Sequence, residues 1–147
     1  MKFPALASVL FLALVPSWSH AEAPESALLG CWRAVNIVQH YKSGSKAEDA
    51  SGRCTLHFKL GQLESSCASA AGTVTSTYRY RVERPGFYLA TMTGSTFRTS
   101  LIGSTREYQY SIAGDRLKTA IDFQPAEPVA PSVTVRVETE AVRMACP

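Results

Sequence analysis

Between residues 74 and 83 the chain alternates: Val74, Ser76, Tyr78, Tyr80 and Val82 are separated by Thr75, Thr77, Arg79, Arg81 and Glu83. A period of two belongs to a β-strand with one packed face and one wet face; a helix would scatter these residues around its circumference. The pattern recurs in short runs. Cys54, Leu56, Phe58 and Leu60 alternate with Arg53, Thr55, His57 and Lys59, while Tyr108, Tyr110 and Ile112 share one face, as do Leu117, Thr119, Ile121 and Phe123. No stretch beyond the leader sustains helical periodicity, so the chain reads as all-β.

The remaining elements fall between turn signals. Residues 30–41 are rich in β-formers (Trp32, Val35, Ile37, Val38, Tyr41) and make a first strand. Residues 42–52 are almost devoid of apolar side chains and read as a loop. Gly61 and Gln62 turn the chain into a weaker strand over 63–69. Pro85 and Gly86 suit a type II turn, with proline fixing φ and glycine taking the positive φ. A strand over 87–92 follows, and Thr93-Gly94-Ser95 separates it from another over 97–102. Ala113-Gly114-Asp115-Arg116 is a turn, and Pro125, Pro128 and Pro131 mark a stiff connection. In the last segment the apolar positions change phase, from Val133, Val135 and Val137 to Val142, Met144 and Cys146, which predicts a bulge near 138–141. Eight or nine short strands at even spacing argue for an antiparallel barrel or sandwich.

Ahead of this lies Lys2, an apolar run over 3–15, Pro16 and then Ser19-His20-Ala21, the three parts of a secretory signal peptide. Its apolar core is short of the ~20 residues that a spanning helix needs. The expected organisation is a leader over 1–21, with cleavage after Ala23 as an alternative, and a single domain over 22–147 placed in the periplasm or secreted. Leu28-Leu29-Gly30-Cys31 has the form of a lipobox, but Glu22, Pro24 and Glu25 separate it from the leader, and the match reads as accidental. Loss of Lys2 lowers the formal charge of +3 by one, leaving no strong attraction for nucleic acid. All 4 cysteines follow the leader, and an even count in an exported chain reads as two disulfides.

Gly30, one residue, then Trp32 at the start of the first strand resembles the opening of the lipocalin-like (calycin) barrels. The resemblance implies an up-and-down antiparallel barrel of eight to nine strands and gives the 42–52 loop the place of a lid; unlike the family's longer members, this sequence shows no large C-terminal helix. It also implies that an arginine near the end of the last strand covers the tryptophan at the closed end, a cation over an aromatic face. Arg143 stands in that place, with Arg136 as the fallback, so Gly30, Trp32 and Arg143 are expected to close the barrel. Closure removes the sheet edges and brings the first and last strands together. Cys31 opens the first and Cys146 ends the last, so a Cys31–Cys146 bond would tie the seam, leaving Cys54–Cys67 across a hairpin. Four cysteines allow three connectivities, and this geometry favours that one. A weaker resemblance is to small periplasmic barrels that inhibit secreted proteases. Those also open with Gly-x-Trp, and they act through an N-terminal arm, here 22–28.

No set of residues names a reaction. There is no Gly-x-Ser-x-Gly, no CxxC, no zinc set among His40, His57 and the cysteines, and no acid and base spacing among Glu107, Asp115 and Asp122. Catalytic and metal-ligating residues are therefore expected to be none, and no cofactor is implied. In Tyr78-Arg79-Tyr80-Arg81, strand geometry sends tyrosines and arginines to opposite faces, which removes the one candidate nucleic-acid platform. Tyr78, Tyr80, Tyr108 and Tyr110, with Phe58 and Val82, would instead give an apolar wall with polar tips, suited to a small apolar or amphipathic ligand in a central cavity. The alternatives are that these side chains fill the barrel, or that the chain is a protein-binding module directed at a secreted hydrolase.

Overall fold

Hairpins with tight turns fold the alternating runs into one antiparallel sheet. In the computed structural model, which describes residues 24–125 and 130–147, the helix α1 (Pro24–Leu28) leads into β1 (Gly30–Tyr41), β2 (Lys46–Asp49), β3 (Cys54–Lys59), β4 (Gln62–Ser69) and β5 (Gly72–Arg84). The chain continues through β6 (Phe87–Ser95), a 3-10 turn (Thr99–Leu101), β7 (Thr105–Ala113), β8 (Arg116–Asp122) and β9 (Thr134–Met144). The expected leader over 1–21 and Pro128 lie outside the described residues. Neighbouring strands pair in the order β2-β1-β3-β4-β5-β6-β7-β8-β9, and β9 returns to pair with β1. The result is a closed eight-strand antiparallel barrel with β2 as an extra strand on β1.

Local chemistry accounts for several departures from the reading of the sequence. The β3–β4 turn is made by Leu60 and Gly61, not Gly61 and Gln62, because Gly61 takes the left-handed conformation with φ +67°. That places Cys54 directly opposite Cys67 with no bulge between. Residues 42–52 are not one open loop: β2 pairs with Ile37 to His40 of β1, beyond the part of β1 that pairs with β3. Thr93, Gly94 and Ser95 do not end a strand but extend β6, where Gly94 faces Thr77 so closely that a Cβ would lie 2.8 Å from Thr77 Oγ1. Residues 97–102 form no strand. They make a loop carrying the 3-10 turn, with Phe97 68% exposed and Ile102 47% exposed. The expected bulge near 138–141 is found in the partner strand instead, where the register of β1 against β9 shifts between Ala34 and Asn36. Strand β9 runs in unbroken register along β8, so Ala141 points inward, fully buried, while Val142 takes the outer face.

One end of the barrel is shut. Trp32 and Leu28 are completely buried, and the indole Nε1 donates a 2.8 Å hydrogen bond to the Leu28 carbonyl. Above the ring lies the Arg143 guanidinium, 4.1 Å from the ring centroid, which also donates to the carbonyls of Leu29 (2.9 Å) and Ala27 (3.1 Å). Gly30 has φ +114° and comes so close to Arg143 that a Cβ there would meet Nη1 at 3.1 Å. A backbone N–H from Gly61 donates to Glu25, which fastens α1 to the β3–β4 turn. Cys31 is bonded to Cys146 across the β1–β9 seam, and Cys54 is bonded to Cys67 across the β3–β4 hairpin.

Candidate ligand cavity

Above the plug, inward-facing aromatic side chains form a floor. Phe58, Tyr80 and Tyr88 meet edge to face, with ring centroids 5.3 to 5.9 Å apart, and Tyr108 stacks on Tyr88 at 5.0 Å. Tyr110 leans on Tyr88 from the side. These rings pack with Leu63, Ala90, Leu117 and Ala141 into the core, and Val82 and Ile112 close its edges.

The upper half of the barrel is not filled. A cavity of about 390 Å³ lies between the floor and the loop end, bounded by Leu56, Leu63, Met92, Ile121 and Val137 among others. Its lining reaches the β6–β7 loop through Phe97, Arg98 and Leu101. Polar groups are interspersed with this apolar wall, among them Gln39, Ser65, Ser76, Thr139, the phenols of Tyr78 and Tyr108, and Arg106.

The tyrosines expected to act together are therefore divided. Tyr78 and Tyr108 line the cavity, whereas Phe58, Tyr80, Val82 and Tyr110 lie in the packing below it. Both alternatives for the barrel interior are realised, one in each half. Tyr88 is a floor residue that pattern reading missed, because the apolar residues of β6 on both faces hide which face turns inward. Arg106 was missed as well. It occupies an inward position two residues before Tyr108, opposite the buried Ala90, and its guanidinium lies over the Phe123 ring at 4.8 Å. The signal was present in the alternation of β7, where Arg106 has the same parity as Tyr108 and Tyr110.

Burial sets the electrostatics of the floor. It pushes the Tyr80 phenol up to about 12, with the nearby Glu25 carboxylate adding to the effect. Tyr88 is driven well above the usual phenol value by burial and then by the phenols around it. Tyr108 is raised to about 12 by burial and by Tyr78, with the Arg106 charge pulling the other way.

The histidines take structural company. His40 pairs across strands with Glu138, Nε2 to Oε2 at 3.0 Å. His57 lies 3.8 Å from Cys146 Sγ, and the sulfurs of Cys31 and Cys146 beside it are joined to each other. The segment expected as a free inhibitory arm is α1, held to the closed end by Leu28, Glu25 and the carbonyls that Arg143 engages; its first residues, Glu22 and Ala23, lie outside the described part.

The barrel resembles that of a lipocalin-like protein from Bacteroides uniformis, with a TM-score of 0.53 and 11% identity over 80% of this chain and 99% of the other. The fold is lipocalin-like. An uncharacterized protein from Bacteroides eggerthii has the same kind of likeness, with a TM-score of 0.50 and 10% identity over 79% of this chain and 98% of the other. No family model and no curated protein matches the sequence. At such low identity the likeness shows the lipocalin-like architecture alone. The two disulfides of this lipocalin-like chain suggest a location outside the cytoplasm. Among the described residues no helix is long and apolar enough to cross a membrane.

Proposed function

We propose that this chain is an exported, non-catalytic carrier that holds a small apolar or amphipathic molecule in the open half of its barrel, in the periplasm or after secretion. The observation that carries the reading is the cavity of about 390 Å³ above the aromatic floor. Its size lies within the ~300–1,000 Å³ of small-molecule sites, and its lining combines an apolar wall with polar groups, which suits an amphipathic molecule. The shut end supports the same reading, since a barrel plugged at one end and unfilled at the other offers a single way in. Native mass spectrometry of protein purified from the exported fraction tests it. A bound small molecule that is lost on denaturation is expected. A chain that is empty after purification and takes up no amphiphile offered to it would refute the reading.

A further inference from the structure

The cavity holds cations and no counter-charge. Arg106 projects inward from β7, Arg98 stands at the rim, and the cavity lining contains neither aspartate nor glutamate. Among the described residues neither arginine forms an ion pair: Arg106 rests on Phe123 and Arg98 on Phe97, ring faces that attract a cation without neutralising it. The nearby carboxylates are engaged on the outer face, Glu107 with Arg84 and Asp122 with Arg136. The Tyr78 and Tyr108 hydroxyls take no hydrogen-bond partner among the described residues, and both belong to the cavity lining.

An arginine stays charged at any physiological pH, and a charge turned toward an apolar space is costly unless something pairs with it. The opposing Ala90 leaves room beside the guanidinium, and Arg106 sits one residue from the loop end of β7. The charge is thus near the mouth, and the apolar wall of Leu56, Leu63, Met92 and Ile121 is available to a tail.

We infer that the ligand is an amphiphile with an anionic head, most simply a carboxylate, received by the Arg106 guanidinium with the Tyr78 and Tyr108 hydroxyls as further donors, its tail directed to the aromatic floor. This rests on the carrier reading above. A guanidinium and a carboxylate make charge-assisted hydrogen bonds that a neutral head cannot match. A neutral or cationic head on the same tail leaves Arg106 unpaired or repels it.

Calorimetric titration with decanoate, decanol and decylammonium tests the inference, using the intact mature chain, an Arg106→Met variant that keeps the packing over Phe123, and an Arg106→Lys variant that keeps the charge. Decanoate should bind roughly tenfold or more tighter than decanol, with decylammonium weakest. Arg106→Met should erase the preference for decanoate over decanol, and Arg106→Lys should restore part of it. A structural role alone would weaken all three ligands alike, which overturns the inference. Equal binding of decanoate and decanol overturns it too, while leaving the carrier reading intact. If none of the three binds, both fall.

Discussion

Arg143 and Trp32 face each other across the β9–β1 seam, paired in register and stacked with the guanidinium 4.1 Å from the ring centroid. The stack lies at the shut end, under the floor and away from the cavity, and its work is stability. Trp32→Ala should cost about 3–5 kcal/mol, as for a large buried ring removed from a core. Arg143→Met, which gives up the cation over the ring and two hydrogen bonds from a largely exposed side chain, should cost less, roughly 1–2 kcal/mol. Denaturant unfolding measures both. Each variant, while folded, should keep wild-type affinity for a cavity ligand; a Trp32→Ala protein that keeps its melting temperature but loses the ligand would move the site to the closed end.

The two disulfides should differ in what they contribute. Cys31–Cys146 closes a loop with a sequence separation of 115, and Cys54–Cys67 one of 13. In the chain-entropy account these correspond to about 5 and about 3 kcal/mol. Replacing each pair with serine and comparing denaturant midpoints should therefore show the larger loss at the seam. The reverse order would mean that the barrel ends stay together without the bond.

Alkali should unfold the protein through its floor. Tyr80 and Tyr108 have phenols raised to about 12, and burial holds Tyr88 well above the usual phenol value as well. A group whose folded value lies above its unfolded value near 10 contributes stability that is intact below pH 10 and is lost as the pH rises toward the folded value. Stability should hold up to about pH 10 and then fall between 10 and about 12. Tyrosinate absorbance followed alongside circular dichroism measures this. The absorbance of these buried phenols should appear together with loss of β-structure, not before it.

Much of the fold is legible in the residues because alternation, turn glycines and cysteine positions are local or end-to-end signals. The alternation from Val74 to Val82 predicts β5, and Cys31 and Cys146 mark the two strands that meet. What sequence leaves open depends on partners distant in the chain. Phe97 and Ile102 have the composition of a strand, yet β6 and β7 part at Thr91 and Thr105 and leave them in a loop. The phase change in β9 is a real irregularity of the seam, but the extra residue belongs to β1. Parity also told which tyrosines face inward without telling their height along the barrel axis. That height decides that Tyr78 and Tyr108 border space while Tyr80 and Tyr110 are packed. Arg106 was overlooked because a charge on an inward position contradicts the simple rule that such positions are apolar, and a departure of that kind marks a candidate site.

The central claim is that the upper half of the barrel is a ligand site, and filling it tests this most directly. Ser65 lines the cavity opposite Leu56 and Ser76, so Ser65→Trp places an indole in the space without removing a core side chain. Fluorescence titration with N-phenylnaphthylamine, an uncharged apolar probe, should show saturable binding of one molecule per wild-type chain. The same titration of Ser65→Trp, with its melting temperature checked in parallel, should show binding abolished in a folded protein. Equal saturable binding by both proteins, or none by the wild type, would contradict the account.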